Sequence, residues 1–150
     1  MECSNSDYRY ISLACDEASK SLAAYKHGCI AVSSGKIIAR GCNNYRTYSK
    51  DGMIRNTCSC HAEVDVLRKC LKLNNIRKLS LYITRISKDN RPLLSEPCIE
   101  CYKVMKQFNV KNIIYSDKMG EILKYGIDEF TPSHISSGYD AIENNRVKTL

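Results

Sequence analysis

The apolar positions of the chain change period from one end to the other. Between Ser6 and Lys26, the residues Ile11, Ala14, Cys15, Ala18, Leu22 and Tyr25 recur every three or four places, which predicts an amphipathic helix ended by Gly28. Cys29 to Val32 and Lys36 to Arg40 are short β-branched runs on either side of Ser33-Ser34-Gly35, the mark of a hairpin. Asn43 to Ser59 mixes Asn, Tyr, Ser, Gly and Arg without a period, and loops of this length inside a compact domain are usually functional. Helical spacing returns after His61, where Val64, Leu67 and Leu71 form the buried stripe and Arg68, Lys69 and Lys72 point outward. Leu79 to Thr84 reads as a strand and Ser87 to Glu96 as a polar connection. Cys98 to Phe108 then carries Cys101, Val104, Met105 and Phe108 at helical spacing, and Val110 to Tyr115 is a further strand. Beyond Lys118 the signal is weak, with a strand around Glu121 to Lys124 and a short helix around Asp140 to Asn145. A hairpin followed by strands joined through helices predicts an α/β fold, a three-layer α/β/α sandwich whose mixed sheet has about five strands.

Composition narrows the class. A chain of 150 residues suits a single domain over residues 1–150, and 43% hydrophobic with 26% charged residues is the balance of a globular protein. No apolar run approaches the ~18 residues of a membrane helix, and the polar, acidic N-terminus is unlike a signal peptide, which together predict a soluble cytoplasmic protein with no membrane partner. Nine cysteines without a paired framework would stay reduced there, some as metal ligands and the rest as small apolar residues. The net charge of +7 is uneven: +3 over residues 1–60, +5 over 61–110 and −1 over 111–150. Such a surplus suits an anionic partner, a phosphorylated metabolite or RNA, and equally a solvated surface.

The chemistry is concentrated in two short stretches. In Pro97-Cys98-Ile99-Glu100-Cys101 the two cysteines lie three apart, so on a helix they share a face, and a first turn favours the thiolates that zinc requires. His61, in Cys60-His61-Ala62-Glu63, supplies a third ligand. A His/Cys/Cys set leaves a tetrahedral zinc one position for water, whose pKa the metal lowers toward ~7. Glu63 is then a base beside that water and not a ligand. Residues two apart diverge by about 200° on a helix, so His61 and Glu63 reach one cleft only where a loop enters a helix.

His61-Ala62-Glu63 followed by Pro97–Cys101 resembles the zinc-dependent cytidine and deoxycytidylate deaminase superfamily, whose pattern is H-x-E then P-C-x-x-C. The likeness extends through His27 to Arg46 and covers roughly residues 8 to 116. It implies a cytidine deaminase-like fold and hydrolytic deamination of a cytosine nucleoside or nucleotide. Zinc hydroxide would add to C4, Glu63 would carry protons to the ring nitrogen and the leaving amine, and ammonia would depart. It further implies that the backbone N–H of Ala62 holds the base carbonyl, that Asn43 contacts a sugar hydroxyl, and that the chain forms a homo-oligomer. This sequence departs from deoxycytidylate deaminases at Asp65, where they commonly carry an asparagine near the phosphate and where a negative charge would repel it. Transfer-RNA base deaminases share both motifs, which with the basic 61–110 region makes RNA the alternative substrate.

A different class stays open: a catalytically silent binding module with a structural zinc closed by four of Cys58, Cys60, His61, Cys98 and Cys101. Cys58 and Cys60 read as spectators, and Cys3, Cys15, Cys29, Cys42 and Cys70 as packing residues. His27 and His134 read as solvated or internally bonded imidazoles. Tyr45 and Tyr48 either stack on a base or anchor the loop, and Arg46 and Arg55 either meet a phosphate or remain solvated.

Overall fold

The computed structural model describes residues 1–54, 60–73, 76 and 78–132, so Arg55, Cys58, His134 and the helix expected at Asp140 to Asn145 lie outside the described residues. Helix α1 (Asn5–Ala18) starts on Ser4, which accepts from the Asp7 N–H at 3.2 Å while its own N–H donates to the Asp7 carboxylate at 2.8 Å, a reciprocal capping box. It stops at Ala18, well short of the expected Lys26. Leu22 and Tyr25, counted in the sequence as its apolar stripe, are 93% and 66% exposed. Gly28 does not end the helix but lies inside strand β1 (Lys26–Ser33), where a Cβ would stand 2.1 Å from the Ala14 carbonyl oxygen and 2.5 Å from the Ala18 nitrogen. Its missing side chain is what lets the strand pass beneath the helix.

β1 turns into β2 (Lys36–Cys42) through Ser34 and Gly35, at φ of 52° and 75°, the paired positive angles of a type I′ hairpin. The chain continues through α2 (Ala62–Cys70), β3 (Leu79–Ile86), β4 (Pro92–Leu93), α3 (Ile99–Gln107), β5 (Val110–Ser116) and β6 (Ile122–Gly126). The expected polar connection at Ser87 to Glu96 therefore holds the two-residue strand β4, a sixth strand paired with the end of β3. Sheet order is β2-β1-β3-β5-β6; β3 and β5 are parallel, through the α3 crossover, and the other pairs are antiparallel.

Alternation divides the sheet between two cores. Cys29, Ala31, Leu81, Ile83, Ile113 and Tyr115 face one way, beneath Val66, Leu67 and Cys70 of α2 and Met105 of α3. Ile30, Val32, Tyr82 and Ile114 face the other way, against Tyr10, Ile11 and Ala14 of α1. The fold is the expected α/β/α sandwich, with α2 and α3 together on one face. On the α1 side, Asp7 is buried and accepts from Tyr82 Oη at 2.6 Å and Lys124 Nζ at 3.1 Å, bonds that hold its carboxyl below the ordinary range against the opposing effect of burial.

Candidate metal centre and active site

Both chemical motifs sit where a chain enters a helix. His61 is the N-cap of α2 and Cys98 the N-cap of α3, each with extended backbone and neither side chain capping its own helix. A cap position that does not cap leaves its side chain free to turn outward. Cys101 follows in the first turn of α3. His61 Nδ1 is 3.1 Å from Cys101 Sγ and 3.6 Å from Cys98 Sγ, and the three ligand atoms all lie within 4.8 Å of one another. Tetrahedral arms of ~2.0 Å to nitrogen and ~2.3 Å to sulfur subtend about 3.5 Å, so the spacing fits one zinc ion, and a histidine with two cysteines is a borderline-soft donor set that suits it.

The ligand atoms of the cluster hold their protons unevenly. The Cys101 thiol donates to Cys98 and, against the effect of burial and with help from His61, pulls Cys98 down to about 3, which makes it the readier thiolate of the pair. Cys101 is pushed up by that same bond and by burial. For His61, burial opposes charge, but hydrogen bonding to Cys98 and the nearby Glu63 carboxylate raise it. Glu63 is buried in the first turn of α2 beside Cys101, and burial lifts its carboxyl above the ordinary range although His61 pulls the other way. A raised carboxyl next to a metal position suits a group that must both take and release a proton.

A model of the cytidine and deoxycytidylate deaminase zinc-binding region matches residues 4–117. The chain belongs to that deaminase family. Solved structures of similar fold include the dCMP deaminase from the cyanophage S-TIM5, at 22% identity over 98% of this chain and 97% of that one with a TM-score of 0.60. The cytidine deaminase from Burkholderia pseudomallei follows at 17% identity over 85% and 98% with a TM-score of 0.61. A structure from work on tRNA:A34 deaminases follows at 22% over 75% and 78% with a TM-score of 0.50. A search of curated protein sequences found no match.

Around the deaminase-family triad, the other residues singled out in the sequence fall into distinct places. Ala62 occupies the first helical position of α2, where its N–H has no carbonyl four residues back to reach. The Asn43 Oδ1 accepts from His27 N–H at 3.0 Å and Ser21 Oγ at 2.7 Å, and its Nδ2 donates to the Tyr25 carbonyl at 2.6 Å. Asn43 thus clips the end of β2 to residues 21–27, with one amide hydrogen left over among the described contacts. Cys60 is buried, pushed up to about 12 chiefly by burial, and donates to the His61 carbonyl at 3.5 Å; it is no ligand in the cluster. Its backbone exchanges two hydrogen bonds with Asn44, at 2.8 and 3.0 Å, so the long loop leaves and returns at one point beside the site. Ile54, 2% exposed, and the Asp51 to Arg68 ion pair at 2.9 Å anchor that loop, whereas Tyr45 and Tyr48 project into solvent. Arg46 spends its Nε on the Tyr48 carbonyl at 2.8 Å. Asp65, the departure from the deoxycytidylate pattern, is ion-paired to Lys69 at 3.2 Å and packed on Gly41.

His27, read in the sequence as a solvated or internally bonded imidazole, has a cross-strand neighbour that sequence reading passed over. His27 and Arg85 are cross-strand partners on β1 and β3, on the same face as Cys29 and Ile83. His27 is held down to about 4, by burial first and then by His61 and Arg85. The available signal was odd-position alternation in β1 and β3; Arg85 lay one residue beyond the expected end of its strand.

Proposed function

We propose that the chain, as one domain, is a zinc-dependent hydrolytic deaminase of a cytosine nucleoside or nucleotide. The observation that carries this reading is Glu63: a buried carboxyl, raised in pKa, set beside a three-ligand centre that leaves one position open. Zinc held by His61, Cys98 and Cys101 supplies Lewis acidity, lowering the pKa of water in its open position toward ~7. Glu63 takes a proton from the attacking water and delivers it to ring nitrogen N3, then takes the second from the new C4 hydroxyl and hands it to the amine, which leaves C4 as ammonia while the C4 carbonyl forms. The Ala62 N–H, at the positive end of α2, donates to the base carbonyl, and the spare amide hydrogen of Asn43 reaches a sugar hydroxyl.

The test is ammonia release by zinc-loaded protein from cytidine, deoxycytidine, their monophosphates and a transfer-RNA pool, with Glu63→Gln alongside. The expected result is turnover of a free cytosine compound that falls at least ~10²–10⁴-fold in the variant while zinc content stays at one per chain. Turnover confined to RNA would replace the free-nucleotide reading with the RNA one, for which the exposed Tyr45 and Tyr48 offer stacking surfaces. Equal behaviour of Glu63→Gln and the parent would leave the silent zinc module.

A further inference from the structure

We propose that Tyr102 is a positioning residue of the metal centre, fixing the rotation of α3 so that Cys98 and Cys101 already face His61 before an ion arrives, a role that rests on the metal site and not on which compound is turned over. Tyr102 directly follows the second cysteine, and its N–H donates to the Cys98 carbonyl at 3.0 Å, closing the turn in which both thiols sit. Its side chain reaches the turn after β6. There the hydroxyl donates to the Ile127 carbonyl at 3.1 Å, and the ring centre stands 5.6 Å from that of Phe130. Successive side chains on a helix are about 100° apart, so pinning Tyr102 sets the direction of Cys101 beside it.

Helix α3 has little else to orient it. It is nine residues long and buries only Cys101 and Met105. A helix of that length is marginal alone and depends on packing. One of its two buried side chains is itself a ligand, which leaves Met105 as the apolar anchor. Hydrophobic burial is non-directional, so Met105 seats the helix without fixing its rotation. Outside the metal cluster, and among the described residues, the bond from Tyr102 to Ile127 is the one side-chain hydrogen bond that ties α3 to another part of the chain.

The acceptor is itself held firmly. The Ile127 N–H donates to the Lys111 carbonyl of β5 at 2.8 Å, and the Glu129 N–H closes the turn on the Gly126 carbonyl at 3.0 Å. Phe130, 4% exposed, packs against Tyr115 of β5 and Tyr125 of β6, with ring centres 5.8 and 6.0 Å away. Lys106, one helical turn beyond Tyr102, places its Nζ 5.3 Å from the centre of the tyrosine ring. The edge of the sheet is thereby linked through one phenol to the turn that carries both thiols. Ligands oriented in advance bind an ion more tightly, because binding does not have to order them.

The experiment titrates metal-free protein with cobalt(II), following the thiolate-to-cobalt absorption, and measures zinc affinity by competition with a chromophoric chelator. The variants are Tyr102→Phe and Phe130→Leu, with Tyr82→Phe as control, since Tyr82 makes a comparable hydroxyl bond of 2.6 Å to Asp7 in the α1 core. We expect Tyr102→Phe to weaken both metals about 2- to 12-fold, the range for one net hydrogen bond, and Phe130→Leu to weaken them at least as much. The saturated cobalt spectrum should match the parent, because the ion still gathers the same three ligands. Tyr82→Phe should lower Tm but leave metal affinity unchanged. Tyr102→Phe deletes a single oxygen, so it decides the matter even if Phe130→Leu does not fold. Parent-like affinity in Tyr102→Phe overturns the proposal, and so does an equal loss in Tyr82→Phe, which would mark general loosening. A changed end-point spectrum also overturns it, because the residue would then alter the ligand set. Failure of the deaminase reading shows separately, as zinc bound without turnover.

Discussion

Single side chains at this site are sorted by where backbone hydrogen bonds put them. Cys60 and Cys98 are both buried cysteines next to the cluster, yet the first is a neutral thiol bonded to a carbonyl and the second is poised as a thiolate at a helix N-terminus. Cys98→Ala is therefore expected to abolish stoichiometric zinc in a metal assay of purified protein, and Cys60→Ala to keep one zinc per chain; retention by Cys98→Ala would mean the ligand set is wrong. At this scale His61, Glu63, Cys98 and Cys101 were legible because their chemistry is written in contiguous motifs. The pairing of His27 with Arg85 was not, because it arises only through the antiparallel register of β1 and β3, which no local spacing encodes.

Elements depend on close approach as much as on apolar stripes. Periodicity carried α1 through Tyr25, since Leu22 and Tyr25 fall on helical phase, but β1 must pass under the helix at Gly28, and the chain has to leave helical geometry after Ala18 to form that strand. Gly28→Ala would press a methyl group onto fixed backbone at Ala14 and Ala18, whereas at Gly41 the nearest atom is the movable tip of Asp65. Urea unfolding should show Gly28→Ala less stable by about 1–3 kcal/mol or more, with Gly41→Ala clearly milder. Equal costs would mean α1 and β1 separate freely. The long loop has its own signature. Asp51 is lowered to about 2, mainly by bonds from Ser49 and Met53 and also by Arg68, from an ordinary 3.8. Its stabilisation is thus complete above about pH 4 and lost as pH falls toward 2. The pair is partly solvated, so Asp51→Asn should cost no more than ~1 kcal/mol at neutral pH. That gap should close in urea titrations between pH 4 and 2, and a gap independent of pH would rule out the ionised pair as its source.

For the whole molecule, alternating strands were enough to specify a sandwich with two cores, while the placement of both helices that carry ligands over one face came from the parallel β3/β5 crossover. That arrangement makes zinc a staple between α2 and α3 and leaves α1 out of its reach. The α1 core of Tyr10, Ile11, Ala14, Ile30 and Tyr82 contains none of His61, Cys98 and Cys101, so metal removal is expected to loosen one layer only. A ligand present at a hundred times its Kd adds about 2.7 kcal/mol to stability, which for a chain of this size is roughly 5–11 °C in Tm. Chelation should lower Tm by about that amount. Hydrogen exchange should rise at the first turns of α2 and α3 and around Asn44 and Cys60, with the α1, β1 and β3 amides staying protected. Uniform deprotection of the sheet would show instead that the metal holds both cores together. Unchanged exchange would show that the triad takes no metal, and would remove the centre on which the role of Glu63 depends.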